Sequence, residues 1–244
     1  MGLAGPLMLR PEILAKIDAV IFDMDGLIFD TERPIRRVVL DAARAVGFEM
    51  PEAFYQTMIG VPGPECDLMV KAHFGSGFPF EAYEDACRSG IARALGEGVS
   101  VKPGAAELLG ELHARRMPLA LATSSGRDDA EHHLRNADLR RFFAAVATRN
   151  DVSRGKPHPD LFLKAAADLG VAPQRCLVLE DSHNGVRAAH AAGCLPIMVP
   201  DLLEANDEMR SLCLLIARDL HEVRLLLANS PHGDNASREA GSPP

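Results

Sequence analysis

No stretch of the 244-residue chain approaches the roughly 18 consecutive apolar residues that cross a bilayer, so no membrane partner is expected. The opening segment, MGLAGPLMLRPEILAKID, lacks a basic stretch leading into an apolar core, which argues against a signal peptide. Pro6 stands where an N-myristoylation pattern carries Ser or Thr. There is no run of Lys or Arg, and 34 acidic against 26 basic residues leave a net charge of −8, so no nucleic-acid partner is expected. The five cysteines (Cys66, Cys87, Cys176, Cys194 and Cys213) form no C-x-x-C pair. An odd, unpatterned set reads as reduced, buried thiols in a cytoplasmic protein rather than as a disulfide framework. No internal repeat is found. With 47% hydrophobic and 25% charged residues, the composition is that of a globular protein and excludes disordered and collagen-like chains.

Five short apolar runs are present: AVIF (19–22), LALA (119–122), AAVA (144–147), CLVL (176–179) and LPIMV (195–199). Each has strand length and lacks polar alternation, the pattern of parallel strands covered on both faces. Helical periodicity lies between most of them. In 104–116, Ala105, Leu108, Leu109 and Leu112 fall on one stripe, and the segments 159–169 and 184–192 are short and Ala-rich. This alternation predicts an α/β fold built on a doubly wound parallel sheet.

About 95 residues separate the first run from the second, far more than a crossover needs. Segments 35–46, 64–74 and 80–95 inside this span read as helices, and no strand-like run appears there. A helical domain inserted over 33–102 is expected, with the core formed by 1–32 and 103–229. Residues 230–244, rich in Gly, Pro, Ser and Asn, are expected to be a disordered tail.

Four groups of chemically capable residues follow four of the apolar runs. Asp23-Met24-Asp25-Gly26 follows the first, where ligands bind beyond the carboxyl ends of parallel strands. Two carboxylates so close persist only if a cation neutralises them or one stays protonated. Thr123-Ser124-Ser125-Gly126 follows the second run and offers hydroxyls and loop amides to an anion. Gly155-Lys156-Pro157-His158-Pro159-Asp160 follows the third, with prolines stiffening the backbone around a lysine that can neutralise a phosphoryl group or a carboxylate. Glu180-Asp181-Ser182 follows the fourth, and its hard oxygen ligands suit Mg²⁺. Singly, each is also what helix caps and solvated turns look like. Together they converge on one edge of one sheet.

The ordered set DMDGLIFDTE, LATSSG, GKPHPD and EDSHNGVRAAHAAG resembles the haloacid dehalogenase-like superfamily over nearly the whole chain to about residue 229. The subgroup is that of β-phosphoglucomutase, with a Rossmann-like core and a helical cap. Within it, the wording of DMDGL, ALATSSG and MVPD (198–201) is most similar to pseudouridine-5′-phosphatase-like phosphatases. The resemblance implies Asp23 as the nucleophile that becomes an aspartyl phosphate, and Asp25 as general acid and base. It implies Thr123 as the hydroxyl that holds a phosphoryl oxygen, and Lys156 as the charge beside Asp23. Gly26, Ser124 and Ser125 would add phosphate contacts. Mg²⁺ would be held by Asp23, the backbone carbonyl of Asp25, Asp181 and Glu180. The hinges of the cap would lie near Asp30 to Arg33 and Lys102 to Gly104.

Two departures from the mutase pattern stand out. Ile35 occupies the position of a cap-linker histidine, and Gly60-Val61-Pro62-Gly63-Pro64 replaces a loop with a phosphate-gripping arginine. A phosphomonoesterase acting on a small sugar phosphate or nucleoside 5′-monophosphate is therefore expected, as a monomer or weak homodimer. The alternatives are a phosphosugar mutase and a phospho-acceptor or binding protein. Asp25 argues against dehalogenation, which needs no second acid.

Overall fold

The structure, a computed structural model, describes residues 11–96 and 98–228. The expected tail, 230–244, and the first ten residues lie outside them. In chain order the helices are α1 (Pro11–Leu14), α2 (Glu32–Ala45), α3 (Glu52–Met58), α4 (Gly63–Phe74), α5 (Phe80–Gly96), α6 (Ala105–Ala114), α7 (Arg127–Asn136), α8 (Asp160–Leu169), α9 (His183–Ala191), α10 (Asp207–Leu212) and α11 (Leu220–Ala228). The strands are β1 (Ala19–Phe22), β2 (Leu119–Ala122), β3 (Ala145–Ala147), β4 (Cys176–Glu180), β5 (Leu195–Met198) and β6 (Leu215–Ile216).

All five strand pairs are parallel, in the order β3-β2-β1-β4-β5-β6. The chain steps from β1 to β2 on one side and from β4 to β5 on the other, so the strand order reverses between β1 and β4. A crevice opens at the carboxyl ends of the strands at such a reversal. Both faces of the sheet are covered. Val20, Phe22, Leu119, Leu121, Leu177 and Leu179 pack on one face, with the stripes of α6, α7 and α11. Ala19, Ile21, Ala120, Ala122, Cys176 and Val178 face the other way, onto α8 and α9. The alternation in direction, with every residue of β1, β2 and β4 buried, is why these runs carry no polar residues before the motif. All five cysteines are free thiols, with Cys176 and Cys194 buried and the other three partly so. No helix among the described residues is long and apolar enough to cross a membrane.

Helices α2 to α5 fill the span between β1 and β2 and have a hydrophobic cluster of their own, centred on Ala43, Met50, Tyr55, Met58, Val70 and Tyr83. Their chain leaves and returns at one place. Asp30 N donates to Ser100 O (2.9 Å), Lys102 N donates to Ile28 O (2.8 Å), and Phe29 pairs antiparallel with Val101. The Asp201 carboxylate, itself buried, sits across both crossings, accepting Arg33 Nη1 at 2.7 Å and Lys102 Nζ at 2.5 Å. The sequence pattern gave no sign of α3 or of β6, the latter only two half-buried residues long.

Candidate active site

Asp23 leaves the end of β1, with its N–H held by Leu179 O of the neighbouring β4 (3.0 Å). Asp181 follows the end of β4 directly. The reversal of strand order thus sets the two carboxylates side by side. Between them the backbone turns sharply at Gly26, whose φ is +80°. A Cβ there would stand 2.2 Å from Asp181 Oδ2, so only glycine fits the turn and leaves room for the acid. The Gly26 N–H is spent on Phe29 O (2.8 Å), which gives Gly26 a structural role rather than a donor directed at an anion.

Lys156 comes from the loop between β3 and α8 and is almost fully buried. Its ammonium donates to Asp23 Oδ1 and to Glu180 Oε1, the latter at 2.6 Å. It also lies 5.1 Å from the centre of the Phe162 ring. The other Glu180 oxygen accepts the N–H (3.0 Å) and hydroxyl (2.9 Å) of Ser182. Ser182 in turn caps α9, its Oγ accepting from Gly185 N at 3.0 Å. Glu180 is thus committed on both oxygens, as the anchor of Lys156, while Asp181 lies against the turn at Gly26.

Asp25 is held by hydroxyls. Its Oδ1 accepts from Thr31 (2.8 Å), and its Oδ2 from Ser125 (2.6 Å) and Thr123 (3.2 Å). Thr123 is fully buried and also accepts Ser125 N (2.9 Å). Its hydroxyl therefore works on Asp25 in this arrangement, while Ser124, Ser125 and Gly126 line the open cavity. Ser124 Oγ reaches across to Gly60 O of the helical insert at 3.3 Å.

The electrostatics are those of crowded acids with one cation. Burial pushes the Asp23 carboxyl well above the usual range; Lys156 acts against this, and Glu180 and Asp25 add to it. Asp181 is raised by burial and then by Glu180, Asp23 and Glu32. Burial works against the charge on Lys156, but Asp23 and Glu180 outweigh it and raise its pKa above the ordinary lysine value. Oxygens of Asp23, Glu180 and Asp181 lie within 4.8 Å of one another, all three residues buried. Three carboxylates against one ammonium leave an excess of negative charge in a closed space. The all-oxygen donor set fits a hard divalent cation.

A cavity of about 550 Å³ opens from Asp23, Asp25, Lys156 and Asp181 toward the helices of the insert. Ile35 and Gly63, the two positions that depart from the mutase pattern, both line it. Glu32, Tyr55 and Arg149 line it too, although no role follows for them from the motifs. Burial, then Asp25, Asp201 and Glu180, push the Glu32 carboxyl up to about 8, against a hydrogen bond from Tyr55. Arg149 joins the core to the insert, through Glu65 at 3.2 Å. The signal for Thr31 and Glu32 was their place in the first motif, six and nine residues beyond Asp25 and Asp23. Tyr55 and Arg149 carry no local signal, because folding alone brings them to the cavity.

The arrangement recurs in known proteins. Residues 20–199 match the family described as haloacid dehalogenase-like hydrolase. A Drosophila melanogaster protein named "Probable pseudouridine-5′-phosphatase" is 36% identical over 198 residues, covering 78% of this chain and 84% of that one. A phosphorylated carbohydrates phosphatase of Thermotoga maritima is 32% identical, covering 72% of this chain and 82% of that one. Among solved structures, a HAD family hydrolase from Deinococcus radiodurans R1 with bound phosphate and sodium superposes with a TM-score of 0.73. It is 28% identical and covers 90% of this chain and 99% of that one. The fold, the ordered motifs and these likenesses agree: the chain belongs to the haloacid dehalogenase-like hydrolase family.

Proposed function

We propose that the chain is a phosphomonoesterase acting on a small phosphorylated metabolite, a sugar phosphate or a nucleoside 5′-monophosphate. The observation that carries this reading is the meeting of Asp23, Asp25 and the buried Lys156 at the mouth of one cavity. An oxygen of Asp23 attacks phosphorus, and the bond from phosphorus to the ester oxygen breaks. Asp25 gives its proton to the departing oxygen. The second half reverses the roles. Asp25 takes a proton from water, the water oxygen attacks the phosphorus of the aspartyl phosphate, and inorganic phosphate leaves with Asp23 restored.

Lys156 offsets charge on Asp23 and the phosphoryl group, and it opposes the effect of burial on the nucleophile. Thr123, Ser124 and Ser125 would offer hydroxyls to the phosphoryl oxygens, and Thr31, Thr123 and Ser125 also orient Asp25. Asp23, Asp181 and the Asp25 backbone carbonyl would hold Mg²⁺, with Glu180 beside them, and the cation would supply charge neutralisation for the phosphoryl oxygens. The helical insert acts as a cap that closes over the cavity and excludes water, pivoting where its two strands of chain cross the core. Relatives named for pseudouridine 5′-phosphate and phosphorylated carbohydrates support this substrate range. We place the protein in the cytoplasm, as a monomer or weak homodimer.

The test is phosphate release from a panel of sugar phosphates and nucleoside 5′-monophosphates, with Mg²⁺ and with EDTA. Asp23→Asn removes the nucleophilic oxygen and leaves the fold intact, so turnover should fall at least about a thousandfold. Asp25→Ala should fall most for poor leaving groups. Near wild-type turnover in Asp23→Asn, or equal losses on good and poor leaving groups in Asp25→Ala, would reject the assigned roles.

A further inference from the structure

The segment MVPD (198–201) enters none of the chemistry above, yet it ends on a buried carboxylate. Asp201 stands two residues beyond Val199, whose N–H donates to Glu180 O (2.7 Å), so its backbone is rooted at the carboxyl edge of the sheet. Leu202 and Leu203, next in the chain, pack against the hydrophobic cluster of the insert. The loop between β5 and α10 thus starts in the core and touches the insert.

Asp201 holds both segments that join the insert to the core. Its Oδ1 accepts Arg33 Nη1, from the first turn of α2, at 2.7 Å, and Lys102 Nζ, from the returning segment, at 2.5 Å. Asp30, a more exposed acid, shares Arg33 Nη1 at 2.9 Å. The Asp201 side chain is only 1% exposed, so water and salt screen its pairs little. Its Oδ2 is buried too and has no hydrogen-bond partner. A buried acceptor left without a donor is costly, and one cation on each oxygen would satisfy both. Both cations converge on a single atom instead. That convergence lasts only while the two segments keep one distance from each other and from the core.

Across the cavity, where residues 59–65 of the insert meet the core loops, the polar contacts are longer. Ser124 Oγ donates to Gly60 O at 3.3 Å, Asn184 Nδ2 to Ile59 O at 3.4 Å, and Arg149 Nη2 to Glu65 Oε1 at 3.2 Å. Hydrogen bonds of that length are weak, and a partly exposed ion pair adds little. The strong contacts lie at the root of the insert and the weak ones at its rim.

On the reading of the insert as a cap that closes over a phosphomonoesterase site, we propose that Asp201 is a positioning residue for that reaction. It does not line the cavity. Its carboxylate draws Arg33 and Lys102 onto one atom and so holds the insert closed. Without that charge the crossing stays hydrogen-bonded, but the insert spends more time displaced. Apparent binding then weakens in proportion to the closed fraction that is lost. Saturating substrate restores the closed position, so turnover is kept.

The experiment pairs steady-state kinetics on a hydrolysed phosphomonoester with amide hydrogen exchange of the substrate-free protein. Asp201→Asn keeps the shape of the side chain and removes its charge. KM should rise at least about fivefold with kcat within about twofold of the wild type, the pattern of lost uniform binding. Exchange of the Asp30 and Lys102 amides, which close the crossing, should quicken at least about fivefold. The double variant Arg33→Gln, Lys102→Gln should raise KM to a similar extent. Adding Asp201→Asn to it should change little more, because the effect runs through the same ion pairs. An unmoved KM, unmoved exchange or a fully additive triple variant overturns the proposal. So does a lower melting temperature with KM kept, which is all that a structural carboxylate would give. Should Asp201→Asn not fold, Arg33→Gln alters a side chain 53% exposed and should by itself raise KM at least about twofold. If the wild type hydrolyses no ester, the hydrolase reading falls and exchange alone decides the role of Asp201.

Discussion

Replacing Gly185 with alanine tests whether Glu180 is the anchor of the buried lysine. In an exposed helix the change adds about 1 kcal/mol of stability. Here the added Cβ would fall 1.7 Å from Glu180 Oε1 and 1.9 Å from its Cδ, far inside van der Waals contact with a carboxylate that is fully buried. The carboxylate cannot retreat without surrendering Lys156 on one oxygen and Ser182 on the other. Removing one partner of a buried ion pair costs about 3–5 kcal/mol. Lys156 keeps Asp23, so the lower part of that range applies. Net of the helix gain, a loss of about 2–3 kcal/mol is expected, or about 4–12 °C in melting temperature for a chain of this size. Urea unfolding with an unchanged slope would measure it, and phosphate release measured alongside should fall because Lys156 loses one of the two carboxylates that hold it in place. A variant as stable as the wild type, or more so, would refute the assignment of Glu180 as an anchor held in a space that only glycine leaves open.

Other perturbations probe other layers. Phe162, fully buried beneath the Lys156 ammonium, should cost about 3–5 kcal/mol of unfolding free energy on change to alanine. Mg²⁺ should raise the melting temperature of the wild type by about 5–10 °C at a hundred times its dissociation constant, and much less in Asp181→Asn; no shift in the wild type would count against a cation between these acids. Glu32 should give stability a pH dependence when divalent cations are chelated. Its folded pKa, about 8, lies above the ordinary 4.5, so the folded state holds the proton longer. That contribution is complete below about pH 4.5 and is lost as pH rises through about 8. Glu32→Gln, which does not titrate, should therefore gain on the wild type across this window in urea unfolding, and parallel curves would refute the shift.

What could be read from the residues follows from how locally each signal is written. AVIF, LALA and CLVL announce buried parallel strands because a polar residue on either face would have no water. The motifs follow those strands and the AAVA run, so the sequence itself gathers Asp23, Asp25, Lys156 and Asp181 at one edge. β6 could not be read, since two half-buried residues carry no period. Helix α3, seven residues long, is held by Tyr55 and Met58 in the insert's cluster rather than by a pattern of its own. Resemblance brought Glu180 and Asp181 together as one acidic pair. Side-chain packing divides them, because Gly185 leaves the space in which Glu180 turns toward Lys156. Thr123 is expected to hold a phosphoryl oxygen, and folding adds a second partner to its hydroxyl, Asp25. Distinctions of this kind depend on distances of a few ångströms between residues up to a hundred apart in the chain, and no sequence window contains them.

The crossing at Phe29 and Val101 has a consequence for modularity. Where the chain departs for α2 and where it returns from α5, the two segments are hydrogen-bonded neighbours. A two-residue turn could join them, since paired antiparallel segments need no more. The sheet order would be untouched by the excision, and a different set of helices could be grafted at the same seam. A seam of this form lets the roof over a phosphate-handling crevice change while the crevice itself keeps its geometry.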